Sequence, residues 1–461
     1  MIRSLLYIAI ACALFTMGAC EKFLDTKLSD SQIDSERVFE NEKNATSAVT
    51  GMYRTMVSGP FAGGGYDGLG ALTGLSSDEL SNVFDDAEYR YFQENRLLAE
   101  DAKVFALWSG AYQAIYQAND IIEGLANASP VDSDVKRQLK GEALFVRAFC
   151  HFYLVNLFGD VPLVTQTDYK QNALVTRTAT TTVYDQIKKD LAEAQSLLPE
   201  AYAETERVRP NKTAATAMLA RVYLYLEDWQ NAILQSSSIL DNNGNYSLAT
   251  PNNVFLKNST EVIWQLSSDG GVNTQDGTSY VMAYGPGYGS KVVSRKLLDA
   301  YETGDARKAQ WVGIYNDGTQ DYHYPYKYKA FEYGMPITEY FVVLRSAEQY
   351  LVRSEARARQ GDIAGAIADL DMIRERAGIP LIADINPGIS QDDLLLAIEK
   401  ERWLELFTEW GHRWFDLKRT GRAIAVLSAV KPGITAEDLL YPVPQSEFDK
   451  NPRLGDQNDG Y

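Results

Sequence analysis

Residues 210–240 read PNKTAATAMLARVYLYLEDWQNAILQSSSIL, and this stretch decides the fold class. A helix starts after Pro210, a tight turn falls near Asp228, and a second helix follows. Helices joined by so few residues must lie antiparallel, side by side. The turn recurs: EDWQNAI (Glu227 to Ile233) aligns without gaps on GDIAGAI (Gly361 to Ile367), each after one long helix and before another. A small Ala at the turn with Ile next to it suits close helix packing, the geometry of tetratricopeptide-type pairs. A chain of stacked helical hairpins is therefore expected.

The same texture extends upstream. Val104, Leu107, Ala111, Ile115, Ala118, Ile122 and Leu125 alternate steps of three and four, which aligns one apolar helical face. Leu139, Ala143, Val146, Phe149, Tyr153 and Leu157 do the same, ending at Gly159 as a C-cap would. A third run, Val183, Ile187, Leu191, Ala194 and Leu198, stops at Pro199. Between the helical blocks, EVIWQL (Glu261 to Leu266) alternates like a short strand with Trp264 in the core. Residues 280–333 then hold ten of the 28 tyrosines among Gly and Pro turns, so some of these rings are expected at the surface.

Composition narrows the function. The 461 residues carry 44 basic and 62 acidic side chains, a net charge of −18 that repels phosphate backbones. No basic stripe with interleaved aromatics relieves this, which argues against nucleic-acid binding. The opening MIRSLLYIAIACALFTMGAC has the Arg3 n-region, apolar core and small-residue approach of an export signal, and its apolar run is too short to span a membrane. MGAC resembles a lipobox, which makes residues 1–19 a signal peptide and Cys20 the lipid attachment site. Cys150 is then the remaining cysteine, read as a small core residue.

Chemistry is thin. GGGYDG (Gly63 to Gly68) fits G-x-G-x-x-G literally, but Pro60 precedes it and no strand-to-helix transition surrounds it, so a surface loop is expected. His151, His323 and His412 lack zinc-ligand spacing, so no metal is expected. Asp78, Glu79, Asp85 and Asp86 could supply a glycosidase's two carboxylates, but a solvated or hydrogen-bonding role is commoner for such residues. In KERWLELFTEWGHRWFDLKRTGR (Lys400 to Arg422), Trp403, Leu406, Phe407 and Trp410 fall on one helical face that Gly411 ends or bends, with His412 at a helix end. This segment reads as a core seam whose flanking Arg and carboxylate groups pair over the aromatic stems.

Several stretches, in order, carry a family resemblance: CEKFLDTK, WSGAYQAIYQANDIIEGL, KGEALFVRAFCHFYLVNLFGDVPLV, RPNKTAATAMLARVYLYLEDW, VLRSAEQYLVRSEARAR, IEKERWLELFTEWGHRWFDLKRTG and YPVPQSEFDKNPRLGDQNDGY. Together they resemble the SusD/RagB family of outer-membrane lipoproteins of Bacteroidetes, from Cys20 to Tyr461. The resemblance implies a mainly α fold of tetratricopeptide-like helix pairs packed against an irregular, loop-rich ligand-binding lobe with a few short strands. It divides the chain into an N-terminal region, 20–230, and a C-terminal region, 231–461, with variable ligand loops and the closing helices. It also implies a SusC-like TonB-dependent transporter as partner, non-catalytic capture of oligosaccharide or polysaccharide at the cell surface, and no cofactor. A helical-repeat scaffold and peptide capture are the competing functions.

Sugar binding needs a flat apolar face for C–H groups and convergent polar groups for hydroxyls. The candidates are Tyr66 and Asp67 in the first variable loop, Asp78 and Phe84 just after it, and Tyr280, Tyr284, Tyr288, Trp311 and Tyr315 in the second.

Overall fold

The computed structural model describes residues 38–461 except 127, 129–130, 242–243 and 269–271. The export signal and Cys20 lie outside the described residues. The chain is mainly helical. Along it run α1 (Glu42–Ser58), α2 (Leu69–Ser76), α3 (Ala87–Glu94), α4 (Ala102–Ala126), α5 (Ser133–Phe158), α6 (Thr180–Leu197), α7 (Lys212–Tyr225) and α8 (Trp229–Leu240). After an irregular lobe that begins with the short α9 (Gln275–Tyr280) come α10 (Ser346–Arg359), α11 (Ile363–Ala377), α12 (Gln391–Leu406) and α13 (His412–Arg419).

The long helices stack in sequence. α4 packs on α5, α5 on α6, α6 on α7, α7 on α8, α8 on α10, and α10 on both α11 and α12. The two aligned turns match in detail. Asp228 and Asp362 adopt φ −82, ψ 72 and φ −79, ψ 73, and each side chain accepts from the amide three residues on, of Asn231 and Gly365. In both, the capping amide returns five residues, Asp228 to the Tyr223 carbonyl and Asp362 to that of Arg357. The preceding residue is left-handed in each: Gly361 at φ 85, where no Cβ objects, and Glu227 at φ 56, where one does.

Arg–carboxylate forks lock the helix joints. Arg147 of α5 grips Asp190 of α6 at 2.7 and 2.8 Å and also donates to Asn119 of α4. Arg221 of α7 grips Glu348 of α10 and the Tyr153 hydroxyl of α5. Arg353 of α10 grips Asp369 of α11. Each pair is buried and bidentate, so it fixes register as well as contact.

The strands are short and pair antiparallel. β1 (Leu80–Asn82) pairs with β3 (Lys291–Val293), β2 (Val262–Leu266) with β6 (Phe341–Arg345), and β4 (Val312–Asn316) with β5 (Asp321–Pro325). Trp264 is core, edge-on to Phe145 and Phe149 with its N–H on the Val208 carbonyl. Cys150 is buried.

The segment 400–422 departs from its expected shape. α12 ends at Leu406, not at Gly411, and residues 407–411 form a turn in which Thr408 (φ 60), Trp410 (φ 48) and Gly411 (φ 73) are left-handed. Two anchors hold that turn: the Thr408 amide donates to Glu79, and the Trp410 indole donates to the Val342 carbonyl while its ring packs on Phe149, Tyr153 and Phe341. The charged side chains pair and cover rings as expected, Arg413 lying 4.4 Å from the centre of Trp403 while paired with Asp78 and Glu399, but they are interior themselves. Glu405 meets Arg307, Arg345 and Arg376, and Glu409 meets Arg345 and Lys327. Against the upward push of burial, Arg376, Arg345 and Arg307 hold the Glu405 carboxyl far below its ordinary range. His412 is buried, and burial together with the Arg221 and Arg402 charges keeps its imidazole neutral. It has no access to a substrate.

Candidate functional site

The irregular lobe brings distant loops to one face. The β1–β3 ladder sets Asn82 opposite Lys291, and the Val83 amide continues it onto the Ser290 carbonyl, which lays residues 83–88 along residues 286–290. The Gly64–Asp67 loop joins them through the Gly65 amide, which donates to Asp276 of α9 at 2.7 Å. Thus GGGYDG is a pinned turn between helices. Residues 64 and 65 are both left-handed, and no dinucleotide motif's strand precedes them.

A first aromatic cluster forms there. Tyr66 lies against Gly289, where an added Cβ would sit 3.1 Å from the Tyr66 ring and from the Tyr89 hydroxyl. Tyr89 donates to Asp67 at 2.8 Å and packs on Tyr288 with ring centroids 6.0 Å apart. Tyr288 is 66% exposed and its hydroxyl reaches Glu88, which Lys103 also holds. Beneath the rings Lys291 is fully buried, 3.8 Å from the centre of Tyr89 and 5.3 Å from that of Tyr66. Burial pulls its ammonium down to about 7, with Asp67 acting the other way.

A second cluster adjoins it. Tyr284, 84% exposed, packs edge-on to Phe331 and donates to Glu332 at 2.6 Å, and Tyr333 beyond is 97% exposed. Half-buried Tyr315 of β4 has its hydroxyl beside Gly285. A hollow of about 350 Å³ runs between Asn273–Thr278 and Ala330–Met335. Another, of about 470 Å³, runs between Pro60–Asp67 and Gln275–Ser279, so Gln275 borders both. The face offers ring planes, phenolic hydroxyls and carboxylates side by side, which suits polyhydroxylated ligands.

Of the sequence candidates, Tyr66, Asp67, Tyr284, Tyr288 and Tyr315 come together on this face, and Phe84 is exposed at its border. Three do not. Trp311 is sealed in the core with its N–H on the Pro251 carbonyl, Tyr280 is buried at the end of α9, and Asp78 is buried between Arg413 and Lys296. A tyrosine-rich segment must supply its own packing, and these residues face inward for that reason. Tyr89, Glu88, Lys291, Gln275, Glu332 and Tyr333 escaped the sequence reading. Tyr333 closes the tyrosine-rich stretch 280–333, the one signal that pointed to it.

The carboxylates do not form a hydrolytic pair at this face. Glu79 has the raised value of a general acid, pushed by burial up to about 8, but it is sealed under Thr408. Asp85 is exposed and paired with Arg90, and Asp86 caps α3. Among the described residues, no group of His, Cys, Asp and Glu could hold a metal ion.

Comparison with known proteins fits this architecture. Residues 22–224 match a family model described as "Starch-binding associating with outer membrane", and residues 316–433 match the SusD family model. SusD-like protein P2 of Formosa agariphila is 27% identical, covering 92% of this chain and 94% of its own. A SusD superfamily crystal structure from Bacteroides vulgatus superposes with TM-score 0.79 at 22% identity, covering 92% of this chain and all of that one. A structure described as a laminarin-binding SusD-like protein superposes with TM-score 0.75 at 25% identity, over 92% of this chain and 100% of its own. The chain belongs to the SusD/RagB family. No described helix is long and apolar enough to cross a membrane.

Proposed function

We propose that this chain captures an oligosaccharide or polysaccharide on the Tyr66–Tyr288–Tyr284 face and passes it, chemically unchanged, to a SusC-like TonB-dependent transporter in the outer membrane. The observation that carries the reading is the paired exposure of Tyr288 and Tyr284, each with its hydroxyl on a surface carboxylate, Glu88 or Glu332, beside hollows large enough for sugar rings. The laminarin-binding relative of the same fold supports a glycan as the ligand. In this reading a lipid on Cys20 anchors the chain, facing the cell exterior.

The test is affinity electrophoresis of the detergent-solubilised chain through laminarin and a panel of other glycans. At least one glycan retards the wild type, and Tyr288→Ala and Tyr284→Ala each weaken retention roughly 3- to 10-fold, the worth of one stacking ring. No retention by any glycan, with transporter binding intact, would leave the helical scaffold as the function. Retention by a peptide panel instead would point to peptide capture. Cys20→Ala should release the chain from the membrane fraction; unchanged attachment would sink the lipid anchor.

A further inference from the structure

A cavity of about 580 Å³ opens on the other side of the β1–β3 ladder, away from the tyrosine face. Its walls are Ser77–Ser81 entering β1, the C-terminal end of α3, residues 294–296 leaving β3, and Val430–Pro432. Four cations line it, Arg96, Arg295, Lys296 and Lys431, against two carboxylates, Asp78 and Glu94. On a chain of net charge −18 this is a local inversion of sign.

Three of the four cations have a carboxylate partner, which singles out Lys431. Asp78 is already taken twice, by Arg413 at 2.7 and 3.0 Å and by Lys296 at 2.8 Å. Glu94 sits at the rim, 3.7 Å from Arg96 with both side chains largely exposed, and Arg295 has an exposed partner in Asp299. Lys431 is 8% exposed, and among the described residues it has no carboxylate within ion-pair distance. Its ammonium donates to the Leu75 carbonyl at the end of α2 and, at 3.5 Å, to Asn95. One of its three donors remains for another acceptor. The carboxylate that acts on it, Asp78, is already shared between Arg413 and Lys296, so the buried ammonium is poorly compensated and an oxyanion in the cavity would offset that cost.

We infer that this cavity binds the oxyanion group of an acidic sugar, a carboxylate or a sulfate ester. The oxyanion follows from the cations; the sugar rests on the glycan-binding reading above. The two sites are ends of the same elements. Lys291 of the ladder lies under the tyrosines with Asn82 opposite it, Leu80 and Ser294 lie at the cavity, and steps of two residues in β1 and three from Lys291 to Ser294 separate them by roughly 7–10 Å. Likewise α3 carries Glu88 and Tyr89 at one end and Gln93 and Glu94 at the other. One anionic oligosaccharide could thus be read for its ring faces and for its charge.

The experiment is calorimetric titration of the detergent-solubilised chain with trigalacturonate, a sulfated disaccharide, a neutral trisaccharide and inorganic sulfate. At least one acidic saccharide should bind, more weakly as salt rises, and Lys431→Met should weaken it at least 10-fold. Arg96→Ala/Arg295→Ala, confined to the exposed rim, should weaken it roughly 3-fold or more, and it decides the matter if Lys431→Met does not fold. Retention on any neutral glycan that the tyrosine face binds should be unchanged in the rim variant. Absence of binding by both acidic saccharides, or binding indifferent to the rim and Lys431 variants, overturns the inference while leaving glycan capture intact. Binding of inorganic sulfate alone overturns the acidic-sugar assignment. If neither acidic nor neutral saccharides bind, the glycan reading itself has failed.

Discussion

Glu79→Gln should make the protein less sensitive to pH in one direction and by a calculable amount. Glu79 is 2% exposed; one carboxyl oxygen accepts from the Thr408 amide at 3.1 Å and the other has no partner among the described residues. Burial raises its carboxyl to about 8, more than the Thr408 N–H and Lys327 lower it, against an ordinary value of 4.5. Between those values the folded chain keeps a proton that the unfolded chain releases. Stability from this group is therefore complete below pH 4.5 and is lost as pH rises toward 8. A full proton of difference is worth about 1.4 kcal/mol per pH unit. From about pH 5 to 7.5 the ceiling is roughly 3 kcal/mol, and relaxation around the buried charge brings the expected change to about 1.5–3 kcal/mol. Gln keeps the shape and the acceptor for Thr408 but does not titrate. Urea unfolding of both proteins across that range, compared at each pH, cancels the other titrations, including the buried lysines and His412. The variant should gain on the wild type steadily as pH rises. A flat difference, or one that shrinks with pH, would refute a protonated Glu79.

Two further perturbations follow from backbone geometry. Gly289→Ala places a methyl group 3.1 Å from Tyr66 and from the Tyr89 hydroxyl at φ 76, so it should cost about 1–2 kcal/mol in thermal unfolding and weaken any glycan bound at this face. Unchanged glycan affinity would remove Tyr66 from the site. Glu227→Gly should leave stability unchanged or raise it by up to about 1 kcal/mol, because Glu227 is exposed and left-handed where the equivalent turn has Gly361. A loss above about 1 kcal/mol would mean that the two turns are not equivalent.

The helices were legible because their apolar steps are long and regular, and the paired turns because an Asp N-cap and a short connection leave few alternatives. The seam at 400–422 was legible as core but not in shape. Periodicity runs straight through Phe407 and Trp410, and only tertiary anchors, the Val342 carbonyl and Glu79, turn the backbone left-handed there. The candidate face was half legible. Loop tyrosines carry no period, so nothing in the string separates Tyr284, whose ring lies in solvent, from Tyr280, four residues earlier and buried. Asp78 misled for a related reason: an acidic residue in a surface-rich composition looks solvated until Arg413, 335 positions away, closes on it.

The candidate face is held from within. Its loops have little regular structure of their own, and what fixes them is interior polar contact. Asp276 takes the Gly65 amide, Glu339 takes the amides of Lys329 and Ala330 ahead of Tyr333, and Asp78 ties the start of β1 to Arg413. Glu79, beside it, receives the strained turn at Thr408, and Lys327, behind Tyr328, ends on Glu409. The seam therefore anchors both the helical stack and the loops. A carboxylate lost from it would be felt at the tyrosine face as misplacement of rings that it never touches. That is the physical sense in which the buried segment 400–422 governs the order of a surface that it does not reach.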